Sequence, residues 1–120
     1  MRDYATLKQP LTAEFRQAVY DVADAVPPGK VTTYGDIATL LGVPQCSRLV
    51  GRALKQAPAH HPCHRVVNAN GRTVPGWPEQ VTLLKAEGVT FKPNGCVDMK
   101  QHRWNWANKF IFPNGIATIQ

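Results

Sequence analysis

Acidic residues are missing from a long central stretch of this sequence. Between Asp36 and Glu79 there is none, while Arg48, Arg52, Lys55, Arg65 and Arg72 fall inside that window. The formal net charge is +6. A stretch of one sign suits a polyanion and suits equally a solvated basic surface; charge alone does not choose between them. Cysteine is scarce, with Cys46, Cys63 and Cys96 the three present. An odd count, and no apolar stretch in the first ten residues, argue against a secreted disulfide scaffold and for free thiols in a reducing, cytoplasmic setting. Long hydrophobic runs are absent as well. None approaches the roughly 18 residues a membrane helix needs, so no membrane partner is expected. There is no internal repeat and no long linker. The 120 residues, 43% of them hydrophobic, read as one globular domain over 1–120, with a core over about 11–106 and a tail, 107–120, without an assigned role.

Apolar periodicity places the elements. Phe15, Ala18, Val19, Val22 and Val26 recur at helical spacing from Thr12 to Val26. Thr12 suits the N-cap, Glu14 the first turn and Pro27-Pro28-Gly29 the stop. An extended Lys30 to Tyr34 leads into a short helix over Gly35–Gly42, with Ile37, Ala38 and Leu41 inward and Gly42 as terminator. A further helix is predicted over about Cys46 to Gln56, apolar at Leu49, Val50, Ala53 and Leu54 and basic on other faces. Short helix, glycine turn and basic second helix make a helix-turn-helix pattern. Cys63 to Asn68 reads as a strand, Asn70-Gly71 as its turn and Arg72 to Val74 as the return strand of a small hairpin. Pro78 opens a last helix with Val81, Leu83, Leu84 and Glu87, ended by Gly88. Val89–Phe91 and Cys96–Met99, on either side of Lys92-Pro93-Asn94-Gly95, read as a second hairpin. The fold class is α+β, mostly α.

The stretch His60-His61-Pro62-Cys63-His64-Arg65-Val66-Val67 concentrates chemistry-bearing residues. Structural metal sites draw on two separated ligand pairs, and no second pair exists, so no metal is expected. Two readings of Cys63 stay open: a buried structural thiol, and a nucleophile. The second needs a thiolate, hence a base and an acid to orient that base. His64 is adjacent, and Glu87 at the end of the last helix is a candidate for the acid, although a helix-end carboxylate can equally face solvent.

Four blocks then stand in order: Gly29 to Ala38 (GKVTTYGDIA), Ser47 to Leu54 (SRLVGRAL), Pro62 to Val67 (PCHRVV) and Leu83 to Gly88 (LLKAEG). Together they resemble the C-terminal domain of the O6-alkylguanine-DNA alkyltransferases, over roughly Phe15 to Phe91. The resemblance implies a winged-helix-like DNA-binding domain that turns a damaged guanine out of the duplex and moves its alkyl group to a cysteine once. Cys63 matches the alkyl acceptor, His64 the base acting through water, and Glu87 the acid that orients it. Tyr34 matches the tyrosine that helps extrude the nucleotide, and Arg48 the arginine that fills the emptied stack. Ser47, Gly51 and Arg52 lie on the helix that enters the minor groove, and Leu54 and Val66 match pocket-lining positions. No cofactor is implied. The partner implied is double-stranded DNA carrying O6-alkylguanine, bound by a monomer, on the nucleoid of a bacterium or in the nucleus of a eukaryote. On the residues alone, Arg48 as a phosphate contact and Tyr34 as a core aromatic remain alternatives.

The match has gaps. Ala57 stands where the family commonly has asparagine, the Pro58–Pro62 link is short, and Gln80 replaces a frequent lysine. Arg72 to Trp77 carries neither the tyrosine nor the serine usual in the substrate loop. The short loop, Val89-Thr90-Phe91, Gly95-Cys96-Val97-Asp98 and Trp104 look more like the alkyltransferase-like proteins. Those bind the lesion without repairing it, hand it to excision-repair proteins and typically lack the acceptor cysteine. The alternative is therefore a lesion-binding module. A sequence-specific winged-helix regulator is a third reading, weakened because Gly51 and Ala53 offer little for base-edge readout.

Overall fold

The computed structural model describes residues 11–105; Trp106 and the 107–120 tail lie outside them. Helix α1 (Ala13–Ala25) starts where Thr12 Oγ1 accepts the Phe15 N–H at 3.0 Å. Its inner face buries Phe15, Val19, Tyr20, Val22 and Ala23. After the Pro27-Pro28-Gly29 break, strand β1 (Thr32–Thr33) runs directly into α2 (Tyr34–Leu40). Thr33 caps α2 by accepting the Asp36 N–H at 2.9 Å. Ile37, Ala38 and Leu40 are fully buried, and Leu41, at the C-cap, is half-buried. A 3-10 turn (Pro44–Cys46) then sets up α3 (Ser47–Lys55), whose Leu49, Val50 and Ala53 pack inward. The buried Tyr20 hydroxyl donates to Ala53 O at 2.8 Å and ties α1 to α3. The helix-turn-helix is therefore α2–turn–α3, braced by α1. Trp104 closes the same core from the far end of the chain.

The strand expected from Cys63 begins later. Cys63–Arg65 is a 3-10 turn, and β2 is Val66–Val67 alone. β2 does not pair with Arg72–Val74. It pairs parallel with β1, Thr32 opposite Val66 and Thr33 opposite Val67. The expected first hairpin is thus corrected, and the reason is local. The turn closes as foreseen: Asn68 Oδ1 accepts from Asn70 N and Arg72 N, and Gly71 N donates to Asn68 O. Beyond it the backbone is spoken for elsewhere, because Gly71 O accepts Val97 N at 2.8 Å and Val74 N donates to Gln80 Oε1 at 2.7 Å. Helix α4 (Glu79–Ala86) follows, with Pro78 at its N-cap and Leu84 buried. The second hairpin is reduced to one antiparallel bridge, Phe91 with Val97. Val31, Val67, Leu84, Val89 and Val97 form a second, smaller apolar cluster. A last turn, α5 (Met99–His102), brings His102 Nδ1 to Gly29 O and its Nε2 to the Thr90 N–H, sealing the C-terminal segment to the start of β1.

Candidate nucleic-acid interface and reactive thiol

Cys63 lies in the 3-10 turn between α3 and β2, half-buried, at the wall of an open, largely apolar cleft of about 860 Å³. Tyr34 from the start of α2, and Arg48, Gly51, Arg52, Leu54 and Lys55 from α3, line one side. The Ala57-Pro58-Ala59 link, His61 and the loop Val74-Pro75-Gly76-Trp77 line the rest. The residues on α3 come together because the helical repeat puts positions 48, 51, 52 and 55 on one face. Arg48 and Arg52 are exposed at the rim. Ser47 opens α3 but does not line the cleft, and Val66 is buried in the core at 1% exposure. Val66, expected among the pocket-lining residues, packs in the larger apolar cluster beside the cleft.

Behind Cys63 three charged or protonatable groups meet. His64 Nε2 lies 2.8 Å from Glu87 Oε2. Arg65 holds both Glu87 oxygens, Nε to Oε1 at 3.0 Å and an Nη to Oε2 at 2.7 Å, and gives its other Nη to Val26 O at 2.8 Å. Burial alone would raise the Glu87 pKa. The hydrogen bonds from Arg65 and His64 and their charges outweigh it and hold the carboxyl at about 2. An ionised Glu87 can only accept, so His64 presents a protonated Nε2 to it, and in the neutral ring Nδ1 is then the accepting nitrogen. Glu87, the C-cap of α4, therefore does not face water. The Cys63 thiol is pushed up by burial and further by the Asp24 charge, against a smaller lowering from its backbone hydrogen bond. Its Sγ points to Leu54 O at 3.8 Å, a weak contact. Burial and the Cys63 charge raise Tyr34 as well, so its phenol is neutral.

Residues 14–89 match the model of the 6-O-methylguanine DNA methyltransferase family, in its DNA-binding domain. The chain belongs to this family. It is 43% identical over 97 residues to the DNA base-flipping protein of Escherichia coli, covering 77% of this chain and 75% of that one. To a methylated-DNA–protein-cysteine methyltransferase of Methanosarcina acetivorans it is 39% identical over 84 residues, 66% of this chain but only 54% of the methyltransferase. The solved structure of Atl1 from Schizosaccharomyces pombe, in complex with damaged DNA containing O6-carboxymethylguanine, superposes with a TM-score of 0.71 and 34% identity. That match covers 78% of this chain and 97% of Atl1. In this family member, then, five of the residues singled out from sequence, Tyr34, Arg48, Gly51, Arg52 and Leu54, share one cleft with Cys63, while His64, next to Cys63 in the chain, bonds to Glu87.

Three features escaped the sequence. Arg65 bonds to the same carboxylate as His64, although it follows the motif as an ordinary basic residue. Gln80 is completely buried and ties Val74 N to His64 O and Val66 O, fixing the loop against the reactive turn. Its one signal was polarity on the inner face of a helix. His61 lines the cleft and pairs with Asp24 of α1, a contact no local pattern foretells.

Proposed function

We propose that this protein recognises O6-alkylguanine in duplex DNA by drawing the damaged nucleotide into the cleft, and that Cys63 accepts its alkyl group in a single turnover. The observation that carries this reading is Cys63 on the wall of the cleft, followed in the chain by a His64 whose Nε2 is bonded to the Glu87 carboxylate. The O6 atom is out of reach in the stacked duplex, and extruding a base costs a few kcal/mol. In this reading Arg48, exposed at the rim, fills the vacated stack, and Tyr34, on the cleft wall, turns the nucleotide at its phosphate. Gly51 keeps the face of α3 low, so that the helix can enter the minor groove with Ser47 and Arg52 beside it.

The chemistry follows from the proton positions. At neutral pH the thiol holds its proton, so attack needs a base. His64 Nδ1 takes the proton, through one water, and the Glu87 carboxylate steadies the resulting imidazolium. The thiolate attacks the alkyl carbon, a C–S bond forms, and the C–O6 bond breaks with its electron pair going to guanine. The imidazolium proton then passes to the departing guanine anion. The thioether does not hydrolyse, so each molecule acts once.

A second reading, lesion binding without transfer and hand-off to excision-repair proteins, is favoured by one observation: burial and Asp24 both hold the thiol protonated. Incubation with O6-methylguanine DNA, followed by mass analysis of the intact chain and of the Cys63 peptide, separates the two. Gain of one methyl group on that peptide supports transfer. Saturated lesion binding with unmodified Cys63 leaves the second reading. Binding should also weaken as salt rises, as phosphate contacts require, and the working site is the DNA-containing compartment of the cytoplasm or nucleus.

A further inference from the structure

A second histidine–carboxylate pair involves His61, two residues before Cys63. His61 Nδ1 lies 2.8 Å from Asp24 Oδ1, with the His61 side chain 9% exposed and that of Asp24 45% exposed. The His61 ring stacks on Tyr20, centroids 4.7 Å apart and planes 26° from parallel, and His60 leans on it at 4.0 Å. Tyr20 is itself fixed through its hydroxyl to Ala53 O. An imidazole held at three points is a positioned group rather than a loose loop side chain. Its Nδ1 is used by Asp24, which leaves Nε2 with no hydrogen-bond partner among the described residues. His61 lines the cleft whose other walls near Cys63 are mostly apolar, Leu54, Ala57, Pro58 and Trp77 among them.

We propose that His61, oriented by Asp24 and Tyr20, determines which O6 substituents the cleft prefers: its free ring nitrogen receives the polar end of the substituent, and in the protonated form favours an anionic one such as a carboxymethyl group. This rests on the lesion-recognition reading above. Asp24 faces the ring from α1, Tyr20 and His60 pack on its faces, Cys63 is the neighbouring acid, and Arg48, Arg52 and Lys55 stand along α3 across the cleft. An imidazolium can keep its bond to Asp24 while offering Nε2–H to the ligand. A neutral ring offers Nε2 only as an acceptor, which repels a carboxylate.

The test uses the full chain with Cys63→Ala, so that lesions stay intact during binding. Affinities are measured for one duplex carrying O6-carboxymethylguanine or O6-propylguanine, at about pH 5.5 and about pH 8, either side of the ordinary imidazole value. The carboxymethyl-to-propyl affinity ratio should rise roughly tenfold at the lower pH, as a charge-assisted hydrogen bond allows. His61→Leu should flatten that rise and shift preference to propyl. His61→Gln, which keeps a polar group, should flatten the pH response with less loss of preference. A pH-dependent ratio unchanged in both variants overturns the proposal. Should the parent bind neither lesion better than undamaged DNA, the lesion-recognition reading itself fails, which is a distinct result.

Discussion

The two flanks of Cys63 use the same pair of residue types to opposite effect. On the C-terminal flank, Glu87 is shared between His64 and Arg65, its charge is met by a guanidinium, and its pKa is held at about 2. On the N-terminal flank, Asp24 meets His61 alone, is nearly half exposed, and its charge reaches the thiol and raises it. A carboxylate becomes a stable support for a base when a cation neutralises it, and a brake on a neighbouring thiol when none does. The backbones differ in the same sense. A Cβ added at Gly51 on the helical flank would meet only Tyr34, at an ordinary 3.9 Å. One added at Gly71 on the other flank would lie 2.6 Å from Val97 O, at a φ of +86° that side chains rarely adopt.

The largest effect should come from breaking the supported flank. Glu87→Gln is expected to slow alkyl transfer by about a hundredfold or more, the scale of losing a positioned acid–base partner. Single-turnover rates on O6-methylguanine DNA measure it, and an unchanged rate would remove Glu87 from the reaction. Gly71→Ala should cost on the order of 2 kcal/mol or more, combining left-handed strain with a backbone clash. Denaturant unfolding of that variant provides the check. The acid limb of stability comes next. The Glu87 pKa is depressed from 4.5 to about 2 in the folded chain, so its contribution is present above 4.5 and is lost as pH falls from there towards 2. Glu87→Gln should flatten the loss of stability across that window, followed by unfolding at a series of pH values.

On the other flank the effects are smaller and run the opposite way. Asp24→Asn removes a charge that raises the Cys63 pKa, so the pH profile for thiol reaction with an uncharged alkylating reagent should move to lower pH. A profile that stays put would show that burial alone sets the thiol. Gly51→Ala should stabilise the free protein by roughly 0.5–1 kcal/mol through helix propensity while weakening DNA binding. Stability and binding that fall together would remove the close approach of α3 from the picture.

What could be read from the sequence follows from the range of the interactions. α1, α2 and α3 were legible because periodicity and the Thr12 cap are local. The Asn70-Gly71 turn was legible too, but its continuation into a hairpin was not. The partner of Val66–Val67 is Thr32–Thr33, far back in the chain, and the Gly71 carbonyl is taken by Val97. In the candidate site, Cys63, His64 and Glu87 were singled out through a motif, and His64 and Glu87 are in contact. Asp24 and Gln80 were not, since each acts through a fold contact that no spacing encodes.

The most direct test of the central claim is a crystal structure of the Cys63→Ala variant on a duplex carrying O6-methylguanine. The modified guanine should be extruded into the cleft with its O6 methyl beside residue 63 and the Arg48 side chain in the vacated stack. A lesion still stacked in the helix, with the cleft empty above residue 63, would contradict it.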